Sequence, residues 1–219
     1  MDMDDYRIWQ DYPAFRSLYN KLDLSLRLGY NAGPAGCPVP KSGNYVIRPI
    51  INLSGMGATS YIQYLKAGVD HDVPPGYFWC ERFTGNHISV NYSWRKATLY
   101  EVNAVQGWNS QQELYRFSSW KLLKKIPECA KVDNLPVWID STMAVHHVNI
   151  EFVGGHIIEM HGRHGVDFPK GATEIVPVWQ DTEQDQHMMY NNLQDWIFKE
   201  NYEDADGTLD NPRLGFYYR

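Results

Sequence analysis

The stretch NIEFVGGHIIEMHGR, residues 149–163, decides how the chain is read. Two segments alternate apolar and polar residues around Gly154-Gly155, the pattern of a β-hairpin. Side chains alternate faces along a strand. Val148, Ile150 and Phe152 therefore share one face of the first arm, and His147, Asn149 and Glu151 the other. In the second arm Ile158 and Met160 share a face, opposite Glu159, His161 and Arg163. Both apolar sets must reach one core, which requires an odd turn, such as the residues Val153 to Gly155. A two-residue turn would put Glu151 and Glu159 on opposite faces. The odd turn brings both carboxylates to one polar face.

Two adjacent carboxylates repel, and one is driven to protonate unless a cation lies between them. A carboxylate pair beside an amide or imidazole suits a hard divalent ion such as Mg2+. Arg163 is an alternative neutralising partner. An ordinary ion pair on the solvent face of an antiparallel sheet accounts for the same residues.

Outward from the hairpin, the chain has 219 residues, enough for one large domain or two small ones. Its 8 Trp and 15 Tyr argue against disorder. The net charge is −6 and no long Lys/Arg run occurs, so nucleic acid is not an expected partner. Cys37, Cys80 and Cys129 have the spacing of neither a zinc site nor a disulfide framework and read as reduced thiols of a cytosolic protein. The opening MDMDDYRIWQDY is acidic and lacks the apolar core of a signal peptide. No apolar run approaches the roughly 18 residues of a membrane span. The expected location is cytoplasmic, without a membrane partner.

Phe15, Leu18, Leu22 and Leu26 predict a helix over 13–28, stopped by Gly29. YVIRPIINL reads as a buried strand and ends in SGMGATS, residues 54–60. GYFWCERF and HISVNYSW read as a strand pair around Thr84-Gly85-Asn86, followed by the strand ATLYEVNAVQGW. Helices are predicted over 110–126, with Leu114, Phe117, Leu122 and Leu123 inward, and over 181–200. The acidic tail EDADGTLD lacks the register of a calcium loop. The fold class is α+β, with mostly antiparallel sheets and packed helices.

Arg48 lies in an apolar strand, and a buried cation calls for an anion. The glycines after it could let backbone N–H groups cradle phosphate oxygens, or could form a plain turn. Neither a P-loop nor a dinucleotide-binding fingerprint is present. His146, His147 and His156 surround the hairpin without zinc spacing. Tyr77, Phe78 and Trp79 read as core rather than a base stack, and Met188, Met189 and Trp196 as packing.

Taken in order, these pieces resemble the ATP-grasp superfamily over about residues 18–168. Asn20-Lys21 resembles the family's Asp-Lys, whose lysine reaches the nucleotide. Arg48 in VIRP stands where the family has Lys, on the α- and β-phosphates. Ser54, Gly55, Met56 and Gly57 resemble the glycine loop that closes over the phosphates. FWCERFTGNHISV resembles the strand lining the adenine, with Glu81 at the hinge and His87 in the place of a ribose-binding Glu. IEF and IEMHGR resemble the metal-carboxylate strands. Glu151 and Glu159 are then metal ligands, His161 stands in the place of an Asn ligand, and Arg163 is the catalytic arginine on the transferred group beside Arg48.

Three substitutions depart from the pattern. Arg48 offers a planar fork in place of a point charge. His161 favours softer ions than the amide it replaces. His87 cannot accept two ribose hydroxyls as a carboxylate does.

The resemblance implies a single ATP-grasp-like domain with the nucleotide site between two subdomains. One is a nucleotide-binding lobe over about 18–100, the other a metal-carboxylate lobe over about 101–219 that carries the C-terminal helix and tail. The cofactors implied are ATP and Mg2+. The reaction implied activates an unidentified carboxylate as an acyl phosphate for attack by an amine. A small-molecule kinase and a catalytically degenerate interaction module are the alternatives. The family's usual N-terminal α/β domain has no counterpart in these motifs, so a compact form is expected, and a protein partner could supply the missing substrate domain.

Overall fold

A computed structural model describes residues 5–51, 53, 59–96, 98–109, 113–138, 146–165, 168–203 and 212–219. After helix α1 (Asp5–Asp11), a 3-10 turn over Pro13–Tyr19 leads into α2 (Lys21–Arg27). The single helix predicted over 13–28 is thus divided at Asn20. The Asn20 side chain accepts the Asp23 N–H at 2.9 Å and so caps a new helix. Capping stops the first segment from running through.

Strands β1 (Ala32–Pro34), β2 (Gly43–Pro49), β3 (Tyr61–Leu65) and β4 (Tyr77–Glu81) form a sheet in the order β1-β4-β2-β3. Its core holds Val39, Tyr45, Ile47, Leu65, Val73 and Trp79. The remaining strands are β5 (His87–Arg95), β6 (Thr98–Asn109), β7 (Phe117–Leu122), β8 (His147–Val153), β9 (His156–His161), β10 (Glu174–Trp179), β11 (Ile197–Glu203) and β12 (Arg213–Tyr218). They form one eight-stranded sheet in the order β11-β12-β10-β7-β6-β5-β8-β9. Every pairing in both sheets is antiparallel.

β4 and β5 do not pair with each other, contrary to expectation. Thr84-Gly85-Asn86 carries the chain from one sheet to the other. The sheets therefore divide between Glu81 and His87, and β5 lies in the larger sheet.

On one face of the larger sheet, Ile88, Val90, Tyr92, Val148, Ile150 and Phe152 pack against Ile8, Phe15, Leu18 and Leu24 of the N-terminal helices. The opposite face looks toward the smaller sheet.

The β8–β9 hairpin has the predicted arms but a different turn. Val153 pairs with His156, leaving the two-residue turn Gly154-Gly155 with φ of +58° and +88°. The odd residue sits in the strand. Glu151 pairs with Glu159 and Phe152 with Ile157, so Ile158 is a bulge. The bulge restores the parity that the turn lacks. Ile157, not Ile158, joins Met160 in the core.

Two predicted helices are replaced in whole or in part by strands. Phe117–Leu122 forms β7, placed between β6 and β10. The C-terminal helix is α3 (Glu183–Tyr190) alone, ended at the Asn191 cap, and β11 follows. The terminal LGFYYR forms most of the interior strand β12 instead of a tail. α3 covers a small core of Val176, Val178 and Tyr217 through Tyr190. All three cysteines are free. No helix among the described residues is long and apolar enough to cross a membrane.

Candidate functional site

A cleft of about 550 Å³ lies between the two sheets. Lys21, Arg48, Glu81, His87, Glu151, Glu159, His161 and Arg163 all line it. The structure thus brings together every predicted site residue that it describes. Ser54, Gly55, Met56 and Gly57, and residues 204–210 of the acidic tail, lie outside the described residues.

Lys21 is the first residue of α2. Its N–H donates to the Ile50 carbonyl just beyond β2, and Ser25 Oγ donates to the Lys21 carbonyl. The side chain is 2% exposed as a residue, and its Nζ lies 2.7 Å from Glu159 Oε1. Arg48 reaches across from the smaller sheet. Its Nη2 donates to the Ile158 carbonyl at 2.6 Å, a group made available by the bulge. The guanidinium lies 5.4 Å from the Phe78 ring centroid. Its Nε is buried without a hydrogen-bond partner. Phe78 and Trp79 are core residues as expected, and Trp79 Nε1 donates to the Cys37 carbonyl.

Glu151 and Glu159 are direct cross-strand partners on the cleft face. Each carries a protein partner. His87 Nε2 lies 3.0 Å from Glu151 Oε2, and its ring meets Phe117 and Trp120 edge-on. Burial pushes the Glu151 carboxyl up, and His87, with His161 and Lys21 nearby, more than offsets it and holds the group well below the usual carboxylate range. Two carboxylates with hard oxygens opposed on adjacent strands fit a divalent cation.

His161, expected as a further ligand, lines the same cleft beside Glu159. Its Nδ1 lies 3.1 Å from Asp5 Oδ2 and its Nε2 3.4 Å from Glu159 Oε1, so both nitrogens face carboxylates. Burial disfavours the imidazolium, but these acids raise its pKa above the ordinary value. Among the described residues, no group of three or more His, Cys, Asp and Glu side chains is arranged to hold a metal.

At the end of β4, Glu81 accepts from the Asn31 backbone N–H at 3.0 Å and from its Nδ2 at 3.2 Å. Phe83 stacks on His156 at 4.1 Å. His147 and His164 both contact Ser93 Oγ, outside the carboxylate pair.

Sequence reasoning missed Asp5, the acid that joins His161 to Arg163. The signal available was weak: Asp5 and Ile8, spaced i, i+3 on α1, are both buried. It also left open the purpose of Asn149. The Asn149 amide donates to Ser89 Oγ and Asn91 Oδ1, and Asn91 Oδ1 also receives the Gly165 N–H. Asn149 therefore helps fix the segment that follows Arg163.

No family model matches the sequence, and no curated protein matches it. Solved structures do resemble it. N5-carboxyaminoimidazole synthetase from Staphylococcus aureus, complexed with ADP, has a TM-score of 0.63 at 10% identity, covering 94% of this chain and 68% of that one. Carboxyaminoimidazole ribonucleotide synthase from Aspergillus clavatus, complexed with ATP, has a TM-score of 0.59 at 8% identity, covering 99% and 74%. An ATP-grasp superfamily protein from Archaeoglobus fulgidus gives 0.41 at 16% identity, covering 68% of this chain; the chain spans only 47% of that protein. The two synthetases, with TM-scores above 0.5, show that the chain shares their fold, an ATP-grasp-like α+β fold.

Proposed function

We propose that the cleft binds ATP and that the protein is an ATP- and Mg2+-dependent ligase joining a carboxylate to an amine. The observation that carries this reading is the convergence of Lys21, Arg48 and Arg163 with the Glu151–Glu159 pair in one cleft. Two neighbours of the same fold, with TM-scores above 0.5, are complexes with ADP and ATP, which supports a nucleotide in this cleft. The orphaned Arg48 Nε supports an anion beside it, because a buried donor without a partner is costly.

In this reading Arg48 and Lys21 hold phosphate oxygens by charge-assisted hydrogen bonds. Lys21 exchanges its contact with Glu159 for the nucleotide. Mg2+ on Glu151 and Glu159 would neutralise charge on the phosphates during transfer. Glu81 faces the base at the hinge and His87 the ribose. The γ-phosphoryl passes to a carboxylate oxygen with release of ADP. The amine nitrogen then attacks the acyl carbon, the C–O bond to phosphate breaks, and the amine loses a proton. Arg163 stabilises the transferred group and the oxyanion of the tetrahedral centre.

The test is ATP-dependent release of inorganic phosphate with mixed carboxylates and amines, in wild type and in Glu159→Gln. Wild type should release phosphate and the variant should not. Equal release from both removes the assignment. Phosphate retained on an acceptor would identify a kinase. A noncatalytic module has one observation in its favour: each carboxylate already has a cationic or imidazole partner. Calorimetry with Mg-ATP distinguishes it, since a module without a nucleotide site gives no heat.

A further inference from the structure

Asp5 lies outside every motif that points to nucleotide chemistry, yet it holds two residues at the cleft wall. It opens α1 and is 3% exposed. Arg163 donates to Asp5 Oδ2 through Nε at 2.9 Å and approaches it through Nη2 at 2.8 Å. His161 Nδ1 lies 3.1 Å from the same oxygen. Tyr19 donates its hydroxyl to Oδ1 at 3.0 Å and accepts the Gly162 N–H at 3.2 Å. Arg163 Nη1 donates to the His164 carbonyl at 3.0 Å. One buried carboxylate therefore ties α1 to His161, the last residue of β9, and to Arg163 just beyond it, with Tyr19 holding Gly162 between them.

A guanidinium has five N–H donors in a rigid fork. Contacts to Asp5 and to the His164 carbonyl fix its plane, because Nε and both terminal nitrogens each have a partner. The donors not used there remain at the cleft wall that Arg163 lines. A carboxylate buried only for packing would be a poor choice, since an apolar side chain of similar volume often does as well. A fixed guanidinium has a value beyond packing: donors held in place before reaction stabilise developing charge without reorganising.

We infer that Asp5 is the positioning residue for Arg163, orienting its guanidinium toward the group transferred in the cleft; the catalytic part of this inference rests on the ligase reading above. Asp5 also lines the cleft, but at 3% exposure its carboxylate is taken up by Arg163, His161 and Tyr19, and in this inference it acts through Arg163.

Asp5→Asn keeps the shape and removes the charge. Asp5→Glu keeps the charge one methylene away. Arg163→Lys keeps the cation and loses the fork. The first measurement needs no turnover. The Arg163 Nε–H signal, assigned by its absence from Arg163→Lys, should exchange slowly in wild type and at least about tenfold faster in Asp5→Asn. The second is steady-state phosphate release. Asp5→Asn should lower kcat by about 10²-fold with little change in the KM for ATP, as expected of a misplaced catalytic group. Asp5→Glu should recover part of the loss. Adding Asp5→Asn to Arg163→Lys should cost little more, because the two act as a unit.

Unchanged Nε–H exchange in Asp5→Asn overturns the inference. So does faster turnover, which would make α1 a plug, and so do fully additive losses in the double variant. If wild type releases no phosphate, the ligase reading fails by itself, and the exchange measurement still decides whether Asp5 orders Arg163. If Asp5→Asn does not fold, Asp5→Glu carries the same comparisons.

Discussion

Lys21 shows how one buried side chain serves stability before it serves a ligand. Its ammonium is nearly inaccessible and pairs with Glu159, whose side chain is only 13% exposed. Breaking such a pair from one side leaves Glu159 with only the longer contact to His161, at a cost of up to about 3–5 kcal/mol. Lys21→Met should lower the urea midpoint accordingly, and Lys21→Met/Glu159→Gln should regain most of the loss; an additive double variant would show that the pair is not coupled. Asp5 gives a second prediction at this scale. Burial raises its pKa, but the hydrogen bond to His161, with Arg163 and Tyr19, brings it down to about 2 from 3.8. A carboxyl depressed in the folded state stabilises the fold fully above its unfolded pKa, and the benefit is lost as pH falls through the folded value. Between about pH 5 and pH 2, wild type should therefore lose about 2 kcal/mol that Asp5→Asn does not lose, measured by urea unfolding at each pH. Lys21 was legible in the sequence from its motif. Asp5 was not, because its partners lie far away along the chain.

The β8–β9 hairpin was legible as an element because its alternation is strict and its Gly-Gly turn strong. Its detail was not legible, because face alternation counts only parity. An odd turn and an even turn with a bulge give the same faces, and only the bulge frees the Ile158 carbonyl for Arg48. The misread elements have a common physical cause. Leu114, Phe117 and Leu122-Leu123 mimic a helical face, but β6 and β10 each need a partner and Phe117–Leu122 supplies it. Phe117 and Trp120 then pack over Gly107, where an added Cβ would lie 2.7 Å from Phe117. Tertiary pairing outweighs a weak helical preference. In 181–200 the Asn191-Asn192 pair was the available stop signal, and Ile197 and Phe198 favour the strand that follows. The turn makes its own prediction. Gly154 has φ of +58°, and a Cβ there would lie 2.1 Å from the Thr84 carbonyl oxygen. Gly154→Ala should cost more than the about 1–3 kcal/mol of left-handed strain alone, because the clash is with backbone. An unchanged urea midpoint would show that the turn does not pack against the crossover as described.

At the scale of the molecule, Thr84-Gly85-Asn86 is a crossover between sheets that looks locally like a hairpin turn. Turn chemistry reports the local bend and not which strands meet afterwards, so the division between Glu81 and His87 could not be read from it. That division sets the mechanics of the cleft. Arg48 belongs to the smaller sheet, and its hydrogen bond to Ile158 spans to the larger one. Lys21 adds a second tie to β9 from α2. A nucleotide held between the sheets would engage Arg48 and Lys21 from one side and the Glu151–Glu159 pair from the other. It would bind the folded molecule and not the unfolded chain. At about 100 times its Kd such a ligand adds about 2.7 kcal/mol. For a domain of this length that corresponds to a rise in Tm of about 5–10 °C. Mg-ATP should produce this rise in wild type, measured by scanning calorimetry. Arg48→Ala loses both the phosphate contact and the tie to Ile158, so its own Tm should fall slightly and its response to Mg-ATP should shrink by more than half. A full response in Arg48→Ala would place the phosphates away from residue 48, and the absence of any response in wild type would leave the cleft without a nucleotide.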